Sequence, residues 1–206
     1  MKSKNLMYIY ITAYLALLIP TPGRFVYGVT LMLELILLIL IGALSVSLVY
    51  KLKLQKISSL IIMSILISFT ILYRSIFAIL YSEIALVLGY IFYLPTISIF
   101  LLDNIFKNKD EILQVRLKKV IINVSVFSVI GLLFFLFRDI AGYGTFTFYG
   151  SRHKIYEKII LDTNKTGIFS FFASIPGALI LAGLILFIYI LFSRKFNILK
   201  NAEQQR

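Results

Sequence analysis

Apolar residues in this chain gather into long runs instead of alternating with polar ones. Six runs stand out: Leu6–Ile19, Val26–Tyr50, Ile57–Tyr81, Ile84–Leu102, Val120–Phe137 and Ile168–Phe192. A helix crosses the hydrocarbon of a bilayer with roughly 20 apolar residues, and five of the runs approach or exceed that. The first is shorter and follows Lys2 and Lys4, as a secretory leader would. The residues after it, Leu17-Leu18-Ile19-Pro20-Thr21-Pro22, offer no small-x-small cleavage pattern, so a retained short helix stopped by Pro20 and Pro22 is expected. The pattern predicts an all-α integral membrane protein of six transmembrane helices, forming one membrane domain over residues 1–206.

Composition strengthens this reading. The chain is 60% hydrophobic, with a mean hydropathy of +0.96, and a 206-residue globule lacks the interior to hide so much apolar surface. The net charge is +12. Its Lys and Arg residues lie between apolar runs, which points to loops beside anionic lipid and away from nucleic acid. Fourteen of the 21 fall on the side holding both termini and the Lys51–Lys56 and Asp103–Lys119 loops. By the positive-inside rule, both termini are expected in the cytoplasm of a bacterial-type inner membrane. No cysteine is present, which excludes disulfides and thiolate chemistry, and the single histidine, His153, cannot build a metal site alone.

The chain also divides into three helices plus three, about 1–82 and 83–206. The first run ends Leu18-Ile19-Pro20-Thr21, and the fourth contains Tyr93-Leu94-Pro95-Thr96. An odd number of spans per half makes the halves inverted. Short or Pro-interrupted segments at matching places mark a site near the membrane midplane. Pro176 is expected to kink the sixth helix.

Two charges fall inside spans. Glu34 in the second run and Arg74 in the third lie roughly 10–12 Å below the same surface, so an ion pair between neighbouring helices is expected. The functional alternative makes Glu34 an ion-path carboxylate. Ala43 with Ser47, and Ala178 with Ala182, are small residues spaced for close helix packing. Beyond the fifth run comes Arg138-Asp139-Ile140-Ala141-Gly142-Tyr143-Gly144-Thr145-Phe146-Thr147, whose glycines suit a tight turn and whose aromatics suit an interface. Ile155, Tyr156, Ile159 and Ile160 would share one face of a short amphipathic helix, with Arg152, Lys154 and Lys158 nearby. His153 reads as an interfacial polar residue.

The Arg138–Thr145 stretch resembles the Arg-Glu-Ile/Leu-x-Gly-x-Gly-Thr segment of integral subunits of Rnf and Nqr complexes (the RnfA/RnfE and NqrD/NqrE type). The Leu88–Ser98 stretch is similar to that family's fourth-helix segment, and Ile19-Pro20 falls where the family has Cys-Pro. The resemblance covers nearly the whole chain at low identity. It implies a subunit of an ion-translocating electron-transport complex, with broken first and fourth helices and an inverted homologous partner. In that family, intramembrane cysteines hold a [2Fe–2S] cluster. Here the matching places are Ile19 and about Leu101, so the resemblance implies a scaffold or ion-path subunit with no cofactor of its own. Partner subunits would carry flavin or iron–sulfur clusters. Pro20, Pro95, Glu34, Arg74, Arg138 and Asp139 are the candidate helix breaks and ion-path residues. Catalytic and metal-ligating residues are not expected. The alternative function is a small-solute or vitamin transporter component binding near Pro20 and Pro95. A membrane hydrolase finds no paired carboxylates or nucleophile–base arrangement to support it.

Overall fold

A computed structural model describes residues 17–98, 101–102, 105, 113–151, 154–161, 169–185, 187 and 191. The body of the first run, most of the Asp103–Lys119 loop, Arg152, His153 and the basic tail lie outside the described residues.

The fold is mostly helical. Helix α1 spans Phe25–Lys51, α2 spans Ser58–Leu80 and α5 spans Leu113–Arg138. Among the described residues, helices in these three places are long and apolar enough to cross a membrane. Helix α1 is central and packs against both α2 and α5. Small residues allow this closeness. A side chain at Gly28 would collide with the Phe135 ring of α5, and one at Gly42 would collide with Ile105. Ala43, Ala178 and Ala182 are likewise buried.

The fourth run is interrupted. Helix α3 (Ser82–Leu88) ends at Gly89, whose φ of 38° suits a residue without Cβ. A 3-10 turn over Gly89–Tyr93 leads into the four-residue α4 (Leu94–Ile97). The chain then turns extended at Ser98, with ψ 135°. The Ser98 hydroxyl accepts from the Leu101 N–H at 3.3 Å and restarts a helix. Pro95 therefore lies in the first turn of α4, where its missing N–H costs nothing, and the break follows it.

Two expectations are corrected. Ile155–Ile159 is not an amphipathic helix but strand β2, paired antiparallel with β1 (Thr145–Tyr149), Thr145 opposite Ile159 and Tyr149 opposite Ile155. Its apolar positions fit a helical face, but a helix this short leaves most of its backbone groups as unpaired ends, whereas the β-branched and aromatic Thr-Phe-Thr-Phe-Tyr strand pairs with it along its whole length. Pro176 does not kink a long helix. A 3-10 turn covers Phe169–Ala173, and α6 runs from Ile175 to Ile185. Ser174 caps α6, its hydroxyl accepting from the Gly177 N–H at 3.3 Å, which leaves Pro176 in the first turn.

The buried residues form two clusters. One contains Leu17, Leu18 and Ile19 together with Leu35, Leu101, Phe127 and Phe135. The other, nearer the hairpin, contains Val26, Tyr27, Leu31, Tyr73, Ile84 and Phe92.

Candidate functional site

Helix α5 ends in two buried charged residues that organise one end of the molecule. Arg138 closes α5, and Asp139 opens a π-turn over Asp139–Tyr143. Both are fully buried, and they face different partners.

Arg138 donates to five backbone carbonyls. Its Nε reaches Phe172 O at 3.1 Å, Nη1 reaches Leu18 O at 3.2 Å and Thr21 O at 2.8 Å, and Nη2 reaches Ala173 O at 3.0 Å and Ser174 O at 3.4 Å. A guanidinium carries five N–H donors, so each has an acceptor. The acceptors come from the bend at Pro20 and from the turn before α6. In both places helical geometry stops and leaves carbonyls unpaired. The rings of Phe134 and Phe135 lie 5.6 and 6.0 Å from the guanidinium carbon, within cation–π range.

Asp139 is the acceptor counterpart. Its Oδ2 receives the Phe25 N–H at 3.0 Å, the Thr147 N–H at 2.8 Å and the Thr147 hydroxyl at 2.7 Å, while Oδ1 receives the Thr145 hydroxyl at 2.8 Å. Arg24 supplies no side-chain cap to α1. Asp139 caps it instead, from more than a hundred residues away, and places a negative charge at the positive end of the helix dipole. The glycines of the motif complete the junction. A Cβ on Gly142 would sit 2.7 Å from the Ala173 nitrogen, and Gly144 adopts φ 69° while its carbonyl accepts from Ile160 and Leu161. The Arg138–Thr145 motif is thus a knot joining α1, α5, the hairpin and the approach to α6.

Glu34 is the opposite case. It is fully buried in α1, about 13 Å along the helix from Phe25, and among the described residues neither carboxyl oxygen has a hydrogen-bond partner. The expected Glu34–Arg74 ion pair is not formed. Arg74 is exposed, and its Nη1 lies 3.4 Å from the Tyr93 hydroxyl. Successive helix residues differ by about 100° in direction, so with Tyr73 turned inward Arg74 must point away.

Thr30 lies one turn before Glu34 on α1. A line of hydroxyls runs from there to the hairpin. The Tyr73 hydroxyl donates to Thr30 O at 2.9 Å, and the Thr30 hydroxyl meets the Tyr149 hydroxyl at 2.8 Å. The Thr30 proton is already given to Val26 O at 2.8 Å, so Tyr149 is the donor. Burial pushes the Tyr149 hydroxyl above the ordinary tyrosine value, and the protonated form is the one that donates. One turn along α2, Thr70 and Thr96 form a buried hydroxyl pair at 2.6 Å, which ties α2 to the broken fourth segment. Spacing along α2 could have suggested Thr70 and Tyr73. The join to Tyr149 could not be read, because it depends on the hairpin folding back.

Pro20 is half-buried at the bend after Leu17-Leu18, and Pro95 is buried in α4. Ile19 and Leu101 belong to the same buried apolar cluster. Their aliphatic side chains do not fit an iron–sulfur cluster, and the chain has no cysteine to replace them. Among the described residues, no three His, Cys, Asp or Glu side chains gather as metal ligands. Comparison with family models, curated proteins and solved structures finds no match.

Proposed function

We propose that this chain is an ion-path and scaffold subunit of a membrane complex of the Rnf/Nqr-like class, which couples electron transfer to ion movement. It has no iron–sulfur cluster of its own. In this reading six spans form two inverted three-helix repeats, both termini are cytoplasmic, and an inverted homologous subunit packs alongside. Flavin or iron–sulfur carriers reside in other subunits.

The observation that carries the reading is the Glu34 carboxyl. A carboxylate without partners in an apolar interior costs several kcal/mol, and a proton or a bound cation removes that cost. Ionisable groups within spans default to ion or proton pathways for this reason. The Tyr73–Thr30–Tyr149 series supplies polar atoms between Glu34 and the hairpin. The interruption at Ser98 beside the Thr70–Thr96 pair supplies freed backbone on the neighbouring segment.

The test is to isolate the chain from its native membrane in mild detergent, identify what travels with it, and reconstitute the assembly in vesicles. Electron donor should drive H⁺ or Na⁺ uptake. Glu34→Gln should abolish uptake while assembly and electron transfer persist, and Glu34→Asp should retain part of it. A chain that purifies alone and active, or undiminished uptake in Glu34→Gln, would overturn the proposal.

A further inference from the structure

A groove of about 310 Å³ opens on the surface of α2 and α3, away from Glu34 and its hydroxyl line. Ile71 and Leu86 give it apolar walls, and Arg74, Ser75, Ser82 and Tyr93 give it polar groups. We propose that this groove binds the phosphate headgroup of an anionic phospholipid, with the acyl chains lying along α2.

Three observations converge on that ligand. The first is an uncompensated charge. Arg74 has no acidic partner within ion-pair distance among the described residues, where the Arg24–Glu157 pair accounts for the recorded salt bridge. Among the described residues its Nη1 makes a long contact to the Tyr93 hydroxyl and its guanidinium carbon lies 6.0 Å from the Tyr93 ring, which leaves most guanidinium donors free for an anion. A cation among apolar side chains must reach an anion or water.

The second observation is depth. Helix α2 has 23 residues, about 35 Å, against a hydrocarbon thickness of about 30 Å. Arg74 lies six residues before Leu80, about 9 Å from the helix end. Its Cα then sits below the hydrocarbon boundary, within one extended side chain of the phosphate layer, on the face opposite the Lys51–Lys56 turn.

The third observation is the surroundings. Ile67, Ile71, Leu72, Ile76 and Ile79 on α2 are exposed, a surface suited to acyl chains. No carboxylate lines the groove, and Glu83 is not among its walls. A headgroup with net negative charge therefore fits better than one whose ammonium needs an acidic partner.

The test uses the full chain in nanodiscs of phosphatidylcholine doped with a photoactivatable phosphatidylglycerol. Crosslinks should map between Ile71 and Tyr93. Arg74→Gln should lower that labelling about fivefold or more, Arg74→Lys should restore part of it, and inorganic phosphate should not compete. Crosslinks elsewhere on the chain, and also present in Arg74→Gln, calibrate insertion, so a variant that fails to fold is recognised. A photoactivatable phosphatidylcholine that labels the groove equally, or unchanged labelling in Arg74→Gln, would overturn the proposal. Competition by inorganic phosphate would show a free-anion site and overturn the lipid assignment. Protection of the groove by a co-purified membrane subunit would replace lipid by protein and overturn it as well.

Discussion

Arg138, Asp139 and Glu34 are all fully buried ionisable side chains, yet one region is saturated with partners and the other has none among the described residues. The guanidinium of Arg138 meets five carbonyls, and the Asp139 carboxylate takes four donors. Among the described residues, the two oxygens of Glu34 have no hydrogen-bond partner. A charge whose hydrogen-bonding capacity is filled by its own fold is architectural, because no ligand can displace that many partners. A charge left open among apolar neighbours can still take a proton or a cation. The contrast separates a region whose charges join the elements of the fold from one whose carboxyl is left open among the described residues.

The largest expected effect breaks the saturated side. Arg138→Leu leaves five carbonyls of two interrupted segments without donors, and removing one member of a buried polar set costs about 3–5 kcal/mol. The expected outcome is loss of monodisperse protein in detergent, or a strong fall in thermal midpoint, with Arg138→Lys intermediate. A fully stable Arg138→Leu protein would remove the architectural reading.

The open side should respond with the opposite sign. Glu34→Met replaces an unpartnered carboxyl by an apolar group of similar volume. The thermal midpoint should hold or rise, by a gain of up to about 1–2 kcal/mol in stability. A marked destabilisation would mean that Glu34 has a structural partner after all.

The smallest effect sharpens the boundary between the regions, where Tyr149 connects the hairpin to Thr30. Its folded-state value lies above the unfolded value of about 10. The stability it contributes is therefore fully present below about pH 10 and is lost as pH rises from there toward the folded value. Tyr149→Phe should flatten that part of the alkaline unfolding profile and leave neutral-pH stability within about 1 kcal/mol of the parent. An unaltered alkaline slope would show that Tyr149 is not the group responsible.

Where the structure departs from the sequence pattern, the cause is long-range pairing. The spans at Phe25–Lys51 and Ser58–Leu80 lie within a residue of the apolar runs Val26–Tyr50 and Ile57–Tyr81, since apolar length alone sets them. The hairpin was hidden because Ile155, Tyr156, Ile159 and Ile160 fit a helical face as well as a strand, and only β1 decides between them. Glu34 and Arg74 share a depth, but depth says nothing about direction around a helix.

By itself, the sequence determined that helices would dominate and where the longest would lie, because these follow from local apolar length; Pro95 marked the fourth run as a place where a break could fall, and the structure decided that it breaks at Gly89 and again at Ser98. Tertiary structure alone decided that Asp139 caps a helix far from it in the chain, that Arg138 gathers the loose ends of two segments, and that Glu34 stands without a partner among the described residues. The physical reason is that a hydrogen bond or ion pair depends on which faces meet. Residue spacing fixes the faces of each helix but not the helix that packs against them.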